Sequence, residues 1–149
     1  EAGVPWGVLL LFGGGLSLAA AAQSSGLAAW IGGSMPTGLN IFLLVIIFTT
    51  LIIFLTELTS NLATTATFLP IVAIIATQFG FNPLLLTASI AIAASCAFML
   101  PVATPPNAIV FGSELIKVPQ MMRAGIAINL IAIIIVSLAG IYLVPYFLI

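Results

Sequence analysis

Apolar runs close to 20 residues long recur along the whole chain and are separated only by short interruptions. A helix of about 20 apolar residues matches the hydrocarbon core of a bilayer, which is about 30 Å thick. Only five of the 149 residues carry a formal charge, so the chain cannot build the polar surface that a soluble fold needs. The sequence therefore predicts an all-α, polytopic membrane protein with the lipid bilayer as its surroundings.

The residue types that are rare in this sequence exclude several function classes. The sequence has no histidine and one cysteine, Cys96, which excludes histidine-based zinc sites, Ser-His-Asp triads and a disulfide within the chain. No visible pattern positions a base to activate Ser60, so we predict that the protein is not an enzyme. Two basic residues cannot form a basic patch, and no nucleic-acid partner is expected.

Turns and polar clusters divide the chain into four predicted parts. The parts are a transmembrane and a short interfacial helix (1–38), a helical hairpin with its tip at 56–61 (39–79), an interrupted helix (83–116) and a final transmembrane helix (121–149). Three consecutive glycines, 13–15, predict that the first helix packs closely against a neighbouring helix.

Two interruptions of the apolar runs are best considered together. Residues 56–61 (TELTSN) form either a loop in water between two short crossings or the tip of a re-entrant hairpin at membrane depth. Residues 101–107 (PVATPPN) contain three prolines, which lack an N–H group and clash with the preceding turn, so they predict an unwound stretch in a broken transmembrane helix. Paired broken elements of this kind are typical of the substrate site of a secondary transporter.

The residues around the two interruptions resemble a known family. The hairpin tip reads FLTELTSN at residues 54–61, and the interrupted helix reads AASCAFMLPVATPPNA at residues 93–108. Both segments are similar to the divalent anion/sodium symporter family, the INDY-type carriers of dicarboxylates, citrate and sulfate. The chain resembles the carboxyl-terminal one of the two inverted repeats in that family, with a re-entrant hairpin and an unwound helix.

The resemblance implies a set of binding residues. Sodium is the implied cofactor, and its ligands are expected to be Thr56, Thr59, Asn61 and the backbone carbonyl of Ala103. A small dianionic substrate is expected to contact Ser60, Asn61, Thr104 and Pro105. Because these groups are neutral, sodium ions would supply most of the charge compensation for the anion.

The resemblance also implies a function and an assembly. The expected function is sodium-coupled uptake of di- or tricarboxylates such as succinate, malate or citrate by an elevator-type mechanism. The expected partners are the amino-terminal repeat of the same transporter and a second copy in a homodimer, in a bacterial inner membrane. Lys117 and Arg123 lie in one connection, which the positive-inside rule makes cytoplasmic, so the carboxyl terminus is predicted to lie outside.

One departure from the family pattern keeps other functions open. The frequent Ser-Asn-Thr triplet reads Ser60-Asn61-Leu62 here, so one hydroxyl donor is missing. A carboxylate oxygen left without its donor would be bound less well. A sodium-independent dicarboxylate exchanger and a carrier of sulfate or another inorganic anion are therefore alternatives. A non-transporting membrane scaffold or channel subunit, in which the prolines only kink helices for packing, is the alternative from another class.

Overall fold

Seven α-helices make up the regular structure of the described part of the chain. The computed structural model describes residues 6–34 and 40–148, so the predicted boundary between residues 38 and 39 lies outside the described residues. The helices are α1 (Trp6–Ser24), α2 (Leu27–Ser34), α3 (Ile41–Thr56), α4 (Asn61–Gln78), α5 (Pro83–Ala93), α6 (Pro105–Gly112) and α7 (Val118–Leu148). The predicted all-α class is confirmed for these residues.

Short polar residues mark where four of these helices begin. In each case a side-chain oxygen one residue before the helix accepts a backbone N–H from the first turn, and the four capping residues are Asn40, Ser60, Asn82 and Thr104. Such caps satisfy N–H groups that have no partner within the helix. The polar residues between the apolar runs therefore act as start signals for α3, α4, α5 and α6.

The helical interruption lies earlier in the chain than the sequence predicts. The proline content predicts an unwound stretch at 101–107, but α5 ends at Ala93 and α6 begins at Pro105, which leaves residues 94–104 outside the helices. Pro105 and Pro106 occupy the first turn of α6. A missing N–H costs no hydrogen bond there, and the fixed φ of proline suits the first helical residue. These bounds were wrong because two of the three prolines start a helix.

The core lies where α3, α5 and α7 each pack against the other two. Its fully buried aliphatic side chains are Leu44, Val45, Ile52, Ile53, Leu86 and Ile90. Helix α4 packs against α5 on this core and against α1 and α2 on its other side. Helix α6 makes few packing contacts with the other described helices. The hairpin of α3 and α4 is therefore packed against α5 and α7. In the chain, α5 precedes the interruption and α6, and α7 follows them.

Much of the outer surface of the described chain is apolar. On α7, the side chains of Leu130, Ile131, Ile134 and Ile135 are each more than half exposed. Two helices, Asn61–Gln78 and Val118–Phe147, are long and apolar enough to cross a membrane. A helix that is apolar on its exposed side as well as its core side suits a lipid or protein environment rather than water.

One glycine of the predicted cluster lies at a close helix contact. A β-carbon at Gly15 would collide with the backbone carbonyl of Ala66 on α4, whose carbon atom would be 2.9 Å away. β-Carbons at Gly13 and Gly14 would meet nothing within 4 Å in the described chain. The predicted close approach is therefore confirmed for Gly15, through which α1 packs against α4.

Replacing Gly15 by alanine is expected to destabilise the folded protein by about 1–3 kcal/mol, because the added carbon must displace the backbone of α4. Gly14→Ala is the matched control, and we expect it to keep or slightly raise stability because alanine favours a helix. Thermal unfolding of the detergent-solubilised protein, followed by size-exclusion fluorescence, measures both variants. Equal midpoints for the two variants would contradict the contact between α1 and α4.

Candidate functional site

The hairpin tip between α3 and α4 lies against the start of the non-helical segment 94–104. The Thr56 hydroxyl oxygen is 2.7 Å from Asn61 Oδ1 and 2.9 Å from the backbone carbonyl oxygen of Ala94. The Thr56 side chain is fully buried, and Asn61 is partly buried. The structure thus brings two of the predicted sodium ligands together, next to a carbonyl that the sequence analysis did not include.

These three oxygen atoms share a single hydroxyl proton. The Thr56 hydroxyl can donate to only one of its two oxygen neighbours at a time. The other close oxygen–oxygen contact is relieved either by rotation of the Asn61 amide, which would turn its nitrogen to Thr56, or by a cation. Hydroxyl, amide and carbonyl oxygens are the ligands of hard cations, and carbonyls of unwound backbone coordinate sodium in secondary transporters. The residues present therefore fit a sodium ion.

The other two predicted residues of the tip are held within the hairpin. The Thr59 hydroxyl donates to the backbone carbonyl of Leu55 at 2.9 Å, and its oxygen lies 2.6 Å from Thr64 Oγ1. The Ser60 hydroxyl oxygen accepts the backbone N–H of Ala63 at 3.0 Å at the start of α4. Both side chains are exposed. Sodium binding by Thr59 and substrate binding by Ser60 stay predictions.

The remaining predicted residues lie at the end of the non-helical segment. The backbone N–H of Ala103 donates to the carbonyl of Leu100 at 3.2 Å in a turn. The hydroxyl oxygen of Thr104 accepts the N–H of Asn107 at 3.4 Å, and Pro105 is the exposed first residue of α6. Within the described ranges, no hydrogen bond joins these residues to the hairpin tip. Their roles toward sodium and substrate stay predictions, at a helix start whose partial positive charge favours an anion.

A buried carboxylate, Glu57, connects the hairpin tip to the non-helical segment and to α7. Its Oε1 accepts the backbone N–H groups of Phe98 and Met99 at 2.8 and 2.9 Å and the side-chain amide of Asn129 at 2.8 Å. Its Oε2 accepts the N–H of Leu100 at 3.0 Å. The side chain is only 3% exposed. All four donors are neutral, so the negative charge is stabilised by backbone and amide dipoles, in charge-assisted hydrogen bonds.

The carbonyl groups of the same segment are bound from α6, and its backbone lies directly against α7. The side-chain nitrogen of Asn107 donates to the carbonyls of Ala97 and Leu100 at 2.9 and 3.0 Å. A β-carbon at Gly125 of α7 would lie only 2.7 Å from the backbone nitrogen of Met99. The segment is therefore held from three sides, by the hairpin tip, by α6 and by α7.

The sequence predicted no role for three residues of this arrangement, Ala94, Gly125 and Asn129, whereas Asn107 lies in the predicted interruption at 101–107. A single amide side chain within a long apolar run is the signal that could have pointed to Asn129, because a polar group at such a position needs a partner. A backbone carbonyl is common to every residue, so the sequence carries no signal for Ala94. The Glu57 carboxylate, which lies within the predicted tip, binds three backbone N–H groups and the Asn129 amide.

Comparison with known proteins gives one family and close relatives. The family model described as the sodium:sulfate symporter transmembrane region matches residues 1–149. Over 144 residues, the chain is 46% identical to the sodium-dependent dicarboxylate transporter SdcS of Staphylococcus saprophyticus and 50% identical to SdcS of Staphylococcus aureus strain MRSA252. Each match covers 95% of this chain but 28% of the relative. The chain therefore spans little more than a quarter of the length of these relatives.

Proposed function

The chain belongs to the sodium:sulfate symporter family of divalent anion/sodium symporters, and from this premise we propose that it forms part of a transporter that couples dicarboxylate uptake to sodium. The observation that carries the proposal is the group of three oxygen atoms on Thr56, Asn61 and Ala94, at the contact between the hairpin tip and the non-helical segment. The two staphylococcal relatives are both named sodium-dependent dicarboxylate transporters, which supports the choice of ion and substrate.

A sodium ion at these oxygens would add to the hydrogen bonds by which Thr56 and Glu57 already join the hairpin tip to the non-helical segment. Thr56 and Asn61 belong to the tip, and Ala94 belongs to the segment that follows α5. We propose that Thr59 and the carbonyl of Ala103 complete the ligand set. The positive charge of the ion would then favour a dianion close by, since the proposed substrate residues are neutral.

The dicarboxylate is proposed to bind at the start of two helices, α4 and α6. Ser60 and Asn61 stand at the start of α4, and Thr104 and Pro105 stand at the start of α6. The first turn of α4 offers backbone N–H groups and a partial positive charge, and both stabilise a carboxylate. Helix α6 begins with two prolines, which have no N–H, so it offers only its partial positive charge. Such a site needs no arginine or lysine, in keeping with a chain that has only two basic residues.

The same family membership supports a proposal for the whole assembly. We infer that the hairpin of α3 and α4 is re-entrant, that α5 and α6 are halves of one broken transmembrane helix, and that the carboxyl terminus lies outside a bacterial inner membrane. The partners are proposed to be an amino-terminal repeat and a second copy of the transporter, moving by an elevator mechanism. The protein would then be a transporter and not an enzyme.

A carrier of sulfate is the second candidate, because the family model is described by sulfate rather than by a dicarboxylate. Leu62, where the family often has threonine, removes a hydroxyl donor that could bind one end of a dicarboxylate. Its side chain is more than half exposed at the start of α4 and offers no hydrogen bond. A dicarboxylate exchanger that needs no sodium is the third possibility that the experiment below separates.

Uptake by the complete protein in proteoliposomes tests these proposals. We expect labelled succinate to enter roughly tenfold or more faster under an inward sodium gradient than under a matched potassium gradient, because sodium supplies the charge compensation. Equal succinate uptake under both gradients would contradict sodium coupling and support the exchanger. Sulfate uptake without succinate uptake would support the sulfate carrier, and uptake of neither anion would contradict the transport proposal.

A further inference from the structure

We propose that Glu57 is a positioning residue, which holds the non-helical backbone at residues 98–100 against the hairpin tip and thereby sets the geometry of the sodium ligands. The expected effect on transport rests on the proposed function, whereas the expected effect on the backbone conformation does not. Glu57 is the one buried carboxylate of the described chain, and it is not among the proposed sodium or substrate residues.

The N–H groups of the non-helical segment need acceptors. The N–H groups of residues 94–96 still bind carbonyls of α5, but those of residues 98–100 have no helical carbonyl to bind, and an unpaired N–H within a bilayer is strongly unfavourable. Glu57 accepts three consecutive N–H groups, those of residues 98, 99 and 100. One side chain thus replaces three backbone hydrogen bonds that an uninterrupted helix would have made.

Two carbonyl groups of the same stretch are bound as well. Asn107 donates its side-chain amide to the carbonyls of Ala97 and Leu100. The acid therefore binds the donors, and the amide binds the acceptors, of one short stretch of backbone. Hydrogen bonds to both kinds of backbone group therefore fix residues 97–100 relative to the hairpin tip and to α6.

The three N–H groups require an acid rather than an amide at position 57. A carboxylate offers two acceptor oxygens, and Glu57 uses Oε1 for residues 98 and 99 and Oε2 for residue 100. Glutamine has the same shape, but one of its two terminal groups is a donor, which would face an N–H group. The amide of Asn129 on α7 orients the carboxylate by donating to Oε1 at 2.8 Å.

The residues that these hydrogen bonds join are close in the chain to the proposed sodium ligands. Glu57 follows Thr56 directly in the chain, and the N–H groups it binds lie four to six residues after Ala94. The Thr56–Ala94 oxygen contact at 2.9 Å therefore lies beside the place where Glu57 joins the same two elements. Replacing Glu57 by glutamine would loosen these hydrogen bonds and let the tip and the segment move relative to each other. The same replacement would remove a negative charge near the proposed cation.

The test compares Glu57→Gln with Glu114→Gln, a matched control, because Glu114 is exposed and has no place in the site. In the complete protein, we expect E57Q to raise the sodium concentration for half-maximal succinate uptake about tenfold, with a maximal rate at saturating sodium within about twofold of the wild type. E114Q should leave both values unchanged. A lower maximal rate with an unaltered sodium half-saturation in E57Q would overturn the positioning role.

Hydrogen–deuterium exchange of the purified protein tests the structural part without transport. We expect the backbone amides of residues 98–100 to exchange about tenfold faster in E57Q and at the wild-type rate in E114Q. Unchanged exchange at these amides would refute the proposal even if transport were altered. Faster exchange in a protein that moves no dicarboxylate would refute the proposed function and leave the positioning role supported.

A second variant keeps the inference testable if E57Q does not fold. Asn129→Ala leaves the carboxylate and its three backbone partners in place but removes the amide that orients it. We expect a shift in the same direction and smaller, about threefold in the sodium half-saturation and in the exchange of residues 98–100. An N129A protein with wild-type values for both measurements would contradict the inference.

Discussion

Replacing Gly125 by alanine is expected to lower succinate uptake by roughly 100-fold and to destabilise the protein by about 1–3 kcal/mol, as overpacking in a close-packed interior does. A β-carbon at this position would lie 2.5 Å from the Cα atom and 2.7 Å from the backbone nitrogen of Met99, and it would collide with the carbonyl oxygen of Phe98. These neighbours are backbone atoms, which cannot rotate away as the end of a flexible side chain can.

The backbone that would have to move is the same one that Glu57 binds. The N–H groups of Phe98 and Met99 both donate to Oε1 of Glu57, so a displaced segment would lose or lengthen these hydrogen bonds. Gly125→Ala should therefore impair transport even in protein that stays folded. This separates Gly125 from Gly15, which packs α1 against α4 away from the proposed sodium ligands.

Gly112→Ala is the control for the Gly125 variant. Gly112 is the last residue of α6, and a β-carbon there would meet nothing within 4 Å in the part of the chain that the structure describes. We expect uptake and thermal midpoint to stay near the wild-type values. If Gly125→Ala also kept them, the close approach of α7 to the non-helical segment would be disproved.

Replacing Thr56 by valine should raise the sodium concentration needed for half-maximal uptake by roughly 30-fold or more. Valine keeps the shape of threonine but removes the hydroxyl that lies 2.7 Å from Asn61 Oδ1 and 2.9 Å from the carbonyl oxygen of Ala94. Losing a buried hydrogen-bonding group and leaving its partners unpaired costs about 1–3 kcal/mol, and each 1.4 kcal/mol is about tenfold in affinity. The same change removes one of the proposed oxygen ligands of the cation.

Thr87→Val provides the matched control for this experiment. The Thr87 hydroxyl donates only to the Pro83 carbonyl of its own helix, at 3.0 Å, and the side chain is nearly as buried as Thr56. Sodium titrations of succinate uptake in proteoliposomes should show a wild-type curve for T87V and a displaced curve for T56V. Coincident curves for the two variants would exclude Thr56 from the cation site.

The boundaries of the hairpin tip could be predicted well because they depend on local chemistry. The polar cluster at 56–61 coincides with the end of α3 at Thr56 and the start of α4 at Asn61, with Ser60 as the capping residue. The interruption was placed less well, because the chemistry of proline at 101–107 allows both a broken helix and a helix start. The structure ends α5 at Ala93, so the non-helical backbone begins at residue 94, and contacts from Glu57 and Asn107 hold it at residues 97–100.

The sequence pointed to some of the candidate sodium ligands, and only the tertiary structure revealed another. The motif around Thr56 and Asn61 pointed to two residues that the structure brings together, and they are only five positions apart in the chain. The carbonyl of Ala94 is 38 residues from Thr56, and nothing in its side chain marks it. Ligation by Thr59 and Ala103 is predicted from the family resemblance and stays a prediction.

The sequence by itself determined the helical class, the apolar surroundings and the bounds of the hairpin tip, because each of these depends on composition and on residues close together in the chain. Tertiary structure alone decided which groups satisfy the backbone of the interrupted segment. Glu57 reaches N–H groups 41 to 43 residues away and an amide 72 residues away, distances over which no periodicity or spacing carries information. The buried carboxylate had to be paired somewhere, and the packing of α3 against α5 and α7 determined where.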